Sequence, residues 1–592
     1  MEAKLPTKAF LFISAFLFQV QGYSQDLFVK ANTYIYASDQ YVYVKDDIEL
    51  NASTSNFYLR NGGQLLQGTT GTGINKGLGS LSVFQEGSVN NFQYNYWCSP
   101  VGDVSSSTSV NNPFGIGQLG VPTSVTATTP AVILASNIYD GTASPFQISP
   151  YWIYKFISKG SYADWVQVGG TTTINPGEGF TMKGSSGTNT TTVNGVQNNP
   201  DGMHQRYDFR GKPNDGTIEI PVIPGELTLT GNPYPSAINL RAFLIGEGNC
   251  TGTAYFWEHD KTVNSHYVAD YKGGYGTYTA AGPDGTYVPA VFYSYDGSGN
   301  EVANLGSSGN NYKRKYAPIG QGFLIEGYAT ATGNVQMKNS YRVFVKEGAA
   351  NNSDFEKKAN NKKNTDVVQQ IRFNTLLDNG PVSQMILVFD SSATEGVDRA
   401  LDGASPNDGP ANNFFVINNN EYVINSIPFD IDMKIPIGFR NSAQANYKIT
   451  VNEMLDLPEV ANVYLHDKTT DSYYDIKNDF YDLTLPAGTY NTQYEITFKS
   501  STTLGVDNKE SQKFFVQQNN VGKNLIINNP SQLDLSNCSL YDVVGKLIFS
   551  KDKLGNDASY SFPTAGLTDG IYIVKLTTSD KTETGIKIIV KN

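Results

Sequence analysis

The chain has 592 residues, too many for one hydrophobic core, so three to five domains are expected. It is acidic, with a formal net charge of −12 and only 43 Lys and Arg. That balance argues against nucleic acid as a partner, because phosphate binding needs a cationic face, and against adsorption to anionic membrane surfaces.

Gly (57), Tyr (37) and Phe (31) are abundant, and only 17% of residues are charged. Turn residues interleaved with aromatic and β-branched runs predict a mainly β, multidomain chain. Residues 1–24 read as a signal peptide. Lys4 and Lys8 precede the apolar run Ala9 to Val20, and the small Gly22 and Ser24 place cleavage after Ser24. That run is about 12 residues, short of the roughly 20 that span a bilayer.

Residues 25–79 carry short strands: Ile35-Tyr36-Ala37, Tyr41-Val42-Tyr43-Val44, Ile48-Glu49-Leu50, Phe57-Tyr58-Leu59 and Leu65-Leu66. Their even spacing predicts a β meander or a solenoid-like cap on the next domain. Residues 80–350 contain an internal echo. Gly177-Glu178-Gly179-Phe180 and Gly320-Gln321-Gly322-Phe323 each have a second glycine four residues after the Phe. Each is preceded by a Pro-rich turn and a Trp-bearing strand, Tyr151-Trp152-Ile153-Tyr154 and Ala254-Tyr255-Phe256-Trp257. The order predicts a duplicated β-unit. A phosphate-loop reading of the glycines fails, since no helix follows them. Glycines that let one sheet approach another, with the Phe filling the core, are the better account.

Residues 351–366 read as a linker and residues 367–499 as an immunoglobulin-like or jelly-roll β-sandwich. Residues 500–512 form a second linker, and residues 513–592 a small β-sandwich. Cys98, Cys250 and Cys538 are too few for a disulfide scaffold. Free buried thiols are the preferred reading, and a bridge between Cys98 and Cys250 stays open.

Candidate chemistry is sparse. The histidines His204, His259, His266 and His466 show no metal-ligand spacing, and no Gly-x-Ser-x-Gly elbow is present. The oxygen-rich loop around Asp398, Asp402 and Asp408 is the candidate for a structural calcium, the one cofactor considered. Asp296 and its neighbours read as a hairpin turn. Trp152, Trp165 and Trp257 are candidates for stacking on a glycan ligand, weighed against core packing.

The last eighty residues carry the most specific pattern. Asn524-Leu525-Ile526-Ile527, the run from Ser539 through Tyr541 and Val544-Gly545-Lys546 to Ile548, Thr568-Asp569-Gly570-Ile571-Tyr572, and Gly585-Ile586-Lys587 follow in order. Glycines in the second and third runs are placed where tight turns call for positive φ. These runs resemble the type A C-terminal sorting domain of the bacterial type IX secretion system. The resemblance implies a Gram-negative source and sorting-motif roles for Tyr541, Gly545, Lys546, Asp569, Gly570, Tyr572 and Lys587. It also implies the type IX translocon, a surface sortase and surface lipopolysaccharide as partners. The destination would be the outer-membrane surface or the medium, reached through the periplasm. The body resembles large surface proteins of the same route, for which no activity transfers. The expectation is a non-catalytic adhesin, structural or ligand-binding protein. The alternative is a secreted polysaccharide-degrading enzyme or a carbohydrate-binding module.

Overall fold

The computed structural model describes residues 26–104, 110–355, 368–378, 380–500, 514–519, 522–529, 532–542 and 545–590. The expected signal peptide, residues 356–366 of the first expected linker and residues 501–512 of the second lie outside them. The described chain is mainly β, with one α-helix, Leu240–Gly246, capped by the Asn239 side chain accepting from Ala242 N (3.0 Å). It divides into two compact units, residues 1–257 with 312–362, and residues 258–311 with 363–592.

The first unit opens with three-strand rungs. β1 (Leu27–Val29) pairs in parallel with β4 (Ile48–Leu50), which pairs with β7 (Lys76–Gly77). β2 (Tyr34–Ser38) pairs in parallel with β5 (Asn56–Arg60), and β5 with β8 (Ser80–Glu86). β3 (Tyr41–Val44) pairs in parallel with β6 (Gln64–Gln67). Parallel pairing of every third strand makes a solenoid stub; a meander would pair neighbours antiparallel. Val29, Ala37, Val44, Ile48, Phe57, Leu59 and Leu65 point into a core shared with Leu81, Trp97, Phe180 and Phe209.

The Gly-Phe strands pair alike. Gly179–Lys183 runs antiparallel to β9 (Tyr94–Cys98), with Gly179 opposite Cys98. Gly322–Gly327 runs antiparallel to Leu227–Gly231, with Gly322 opposite Gly231. A Cβ on Gly179 would lie 2.6 Å from Thr230 O, and one on Gly322 2.6 Å from the Tyr96 carbonyl carbon. Each glycine thus lets its strand cross the other pair. The Trp-bearing segment expected as a strand is partly a 3-10 turn, Pro150–Trp152, followed by a short strand, Tyr154–Lys155. Pro150 at the first turn position favours the change. The first expected linker also begins later than its composition suggests. Ser353 and Phe355 are buried, and Phe355 packs on Trp97 with centroids 4.8 Å apart.

In the second unit, residues 370–497 build an eleven-stranded sheet around Phe373, Phe415, Phe439, Tyr447 and Tyr494. Val291 and Tyr293 join that core. Residues 258–311 therefore belong with the sandwich, although they lie before the linker in sequence. The tail forms a three-stranded and a four-stranded sheet over Leu525, Ile527, Leu540, Val574, Leu576 and Val590. All three cysteines are buried and none forms a disulfide, so Cys98 and Cys250 do not pair.

Candidate functional site

On the pair of β9 with Gly179–Lys183, side chains alternate. Trp97, Phe180 and Met182 enter the core, while Tyr94, Tyr96, Thr181 and Lys183 face the other way. The segment after Pro150 covers that second face. It is anchored by Thr181 Oγ1, which donates to Trp152 O (2.9 Å) and accepts from Tyr154 N (3.1 Å). Trp152 Nε1 donates to Tyr139 O (2.7 Å), bringing Tyr139 and Tyr151 edge-on to one another, 4.7 Å between centroids.

Inside this aromatic set lies Lys183. Its Nζ is 3.6 Å from the Trp152 ring centroid and 4.9 Å from that of Tyr94, its cross-strand partner. Burial pushes the ammonium down to about 6, with Asp140 opposing the shift. Asn91 Nδ2 donates to Asp140. Tyr139 is exposed, Tyr94 and Tyr151 are half-buried, and Trp152 is nearly buried. Trp165 reaches the same sheet face beside Tyr96, 6.0 Å between centroids, and packs on Phe156 at 4.8 Å. Of the three sequence-named tryptophans, Trp152 and Trp165 thus flank one strand pair. Trp257 lies nearly buried on Cys250–His259, the strand that pairs with Gly322–Gly327. Lys183 escaped the sequence reading, because only the register with Tyr94 reveals it.

The calcium expectation does not find its ligand set. Asp402 accepts from Asp398 N (2.6 Å) and Ser426 N (2.7 Å), and Asp398 accepts from Thr394 Oγ1 (3.1 Å). Asp408 sits apart, its amide donating to Glu301 (2.9 Å). Among the described residues no group of three His, Cys, Asp or Glu could hold a metal ion. Asp296 accepts from Ser298 N (2.8 Å) and Asn300 N (2.9 Å), a hairpin turn as expected.

Burial pushes the Glu301 carboxyl beside these loops up to about 8, opposed by hydrogen bonds from the Asp408 and Gly409 amides and by Arg440. An unfolded Glu ionises near 4.3, so stability is full below that pH and falls as pH rises toward 8. We expect urea melts to show that decline, on the order of 5 kcal/mol, and Glu301→Gln to flatten it. An unchanged slope in the variant would assign the decline elsewhere.

In the tail, Gly545 has φ +81° in the turn where Asp542 Oδ1 accepts from Lys546 N (2.9 Å). Gly570 lacks positive φ, contrary to expectation, and simply opens the strand Gly570–Thr578 after Asp569. The Tyr572 ring is buried, its hydroxyl donating to Thr568 O (3.0 Å). Lys587 is exposed opposite Ile573. A groove of about 280 Å³ is lined by Tyr541, Asp542, Gly545, Ile573, Lys575, Glu583 and Gly585.

Residues 135–498 match the family model described as "Domain of unknown function (DUF8693)". The chain belongs to the DUF8693 family. Behind this DUF8693 body, residues 516–591 match the model described as "Secretion system C-terminal sorting domain". The tail therefore marks a type IX secretion substrate, exported to the cell surface or the medium. No helix among the described residues is long and apolar enough to cross a membrane.

No curated protein matches the DUF8693 chain. Solved structures overlap it in part. A DUF3244 family protein with an immunoglobulin-like β-sandwich fold from Bacteroides vulgatus is 15% identical, over 13% of this chain and 85% of that one, with a TM-score of 0.12. PorZ, a surface component of the type IX secretion system of Porphyromonas gingivalis, is 11% identical over 33% and 28%, with a TM-score of 0.13. A polysaccharide lyase is 10% identical over 38% and 40%, also at 0.13. The chain spans well under half the length of the last two, and likeness at this level carries no functional argument.

Proposed function

We propose that this type IX substrate is a non-catalytic surface or secreted binding protein, whose body recognises glycans at the aromatic cluster around Lys183. The carrying observation is the gradation from exposed Tyr139 through half-buried Tyr151 to nearly buried Trp152, with an amine beneath the rings. Aromatic faces with a few convergent polar groups are the usual make-up of a small-ligand site. Lys183, Asp140 and Asn91 are the polar groups at hand for sugar hydroxyls. The matched registers of the two Gly-Phe strands support reading the body as a duplication. A surface sortase and retention on lipopolysaccharide complete the reading, supported by the tail's resemblance.

The test is a glycan array with the exported protein, run beside polysaccharide digestion assays. Binding without turnover is expected. Tyr139→Ala and Tyr151→Ala should each weaken binding about tenfold, as truncated aromatic anchors do, with melting temperature unchanged. Turnover of any glycan would favour the polysaccharide-degrading alternative. Absence of binding, or binding indifferent to both variants, would reject the site.

A further inference from the structure

This exported chain is not tied by disulfides, since its three cysteines are buried and unbridged. Proteins outside the cell commonly gain their covalent ties that way. The side chains around Lys183 offer a different tie. Lys183 and Asn91 are both buried, at 6% and 7% exposure. They lie on neighbouring segments joined by hydrogen bonds. Lys183 is opposite Tyr94, and Gly184 N donates to Asn90 O (2.9 Å), so the turn carrying Asn91 runs beside the end of the lysine strand. The approach is close: a Cβ on Gly184 would lie 2.0 Å from Val89 O. Asp140 joins them from a third segment. Its Oδ1 accepts from Asn91 Nδ2, and its charge acts on the Lys183 amine.

Each of the three has the surroundings that amide formation requires. Burial of Lys183 Nζ against the rings of Trp152 (3.6 Å) and Tyr94 (4.9 Å) favours the neutral amine. Only the neutral amine carries the lone pair that attacks a carbonyl carbon. Asn91 supplies that carbon, and its carboxamide is held by the hydrogen bond to Asp140. Asp140 is exposed, so a proton carrier stands at the mouth of the cluster, where a small leaving group escapes to solvent. Fixing amine and carboxamide side by side supplies the effective concentration that the reaction needs.

We propose that Lys183 and Asn91 join in an isopeptide bond, with Asp140 passing the proton. Lys183 Nζ adds to Asn91 Cγ, and Asp140 takes one proton from Nζ. Asp140 then returns that proton to Nδ2, the Cγ–Nδ2 bond breaks, and ammonia leaves. One amine and one carboxamide give one secondary amide and one ammonia, with no oxidant, reductant or cofactor. The bond ties the strand Gly179–Lys183 to the turn before β9 and closes the chain between residues 91 and 183. A closed loop restricts the unfolded chain, which is how a disulfide stabilises a secreted domain. The bond goes beyond the glycan reading and does not rest on it. It forms with or without a sugar, and the new amide leaves an N–H and a C=O beneath the rings.

The experiment is mass spectrometry of the folded, exported protein, intact and after proteolysis. The expected result is a mass lower than the mature sequence by one ammonia, with a branched peptide linking Asn91 to Lys183. Asn91→Ala and Lys183→Met should each show the full mass. Asp140→Ala should slow formation of the bond at least ~tenfold, the smaller end of what a positioned proton carrier contributes. Should Lys183→Met fail to fold, Lys183→Arg keeps a cation against the rings and should likewise show the full mass. Full mass in the unsubstituted protein would overturn the proposal. So would a loss of ammonia that persists in the Lys183 variants, which would place it in a succinimide elsewhere. Loss of one water instead would put the bond on Asp140 and reject Asn91 as the acyl group. No glycan enters these measurements, so failure of the bond and failure of the glycan site are told apart.

Discussion

A chain ending at residue 512 is expected to fold, to cross the inner membrane, and to accumulate in the periplasm with none on the surface. The reasoning rests on two separate cores. The tail buries Leu525, Ile527, Leu540, Val574 and Val590 among themselves, while the body's sandwich closes over Phe373, Phe415 and Phe439. Removing the tail therefore takes no side chain from the sandwich core, and the truncated protein's melting temperature should match that of the full chain. Fractionation with immunoblotting and protease shaving of intact cells reads the outcome. Full-length protein should be shaved from the surface; the truncation should be released only by opening the outer membrane. Surface appearance of the truncation would refute the sorting role of the tail. A finer variant separates recognition from folding. Ile573→Lys, at the exposed groove beside Tyr541 and Lys575, leaves the buried face of Gly570–Thr578 intact. It should reduce surface delivery severalfold without melting the tail.

The pattern of the chain was legible wherever it depended on neighbours in sequence. Short strands at even spacing foretold the stacked rungs, but whether the stack was a solenoid or a meander depended on parallel pairing, such as that of Tyr34 with Asn56. The glycines of the two Gly-x-Gly-Phe units declared a close approach, and Thr230 and Tyr96 are what they approach. Tertiary facts stayed hidden. Lys183 looks like any strand lysine until Tyr94 is opposite it and Trp152 above it. Residues 258–311 lie on the near side of the linker, yet Val291 and Tyr293 enter the sandwich core. The Asp398 to Asp408 loop looked like a cation site because its carboxylates are close in sequence. Backbone amides of residues 398 and 426 engage Asp402 instead. A spacing of oxygens tells nothing of what they accept from.

Replacing Arg342 by Met should cost about 3–5 kcal/mol, the penalty typical of breaking a buried ion pair on one side only. Arg342 and Asp215 are each 1% exposed and lie 3.1 Å apart. Burial raises the Asp215 carboxyl and Arg342 pulls it back; burial lowers the Arg342 guanidinium and Asp215 restores it. Removal of either charge leaves the other without a counter-ion in a medium that solvates it poorly. The pair is held by further bonds: Asn339 Nδ2 donates to Asp215 (2.8 Å), and the Arg342 side chain donates to Ser236 Oγ (3.2 Å) and to Leu65 O. The guanidinium also stacks over Tyr234, 4.9 Å from its ring centroid. Leu65 belongs to β6, so the loss should reach the solenoid rungs. Hydrogen exchange in Gln64–Gln67 should rise in Arg342→Met even under conditions where the rest of the unit stays protected. The double variant Arg342→Met with Asp215→Leu removes both charges and should recover a large share of the stability, because two apolar groups leave nothing uncompensated. Urea melts of the two single variants and the double variant form the cycle. Equal losses in Arg342→Met and the double variant would show that hydrogen bonds to Leu65 and Ser236, rather than the charge pair, carry the stability of this junction.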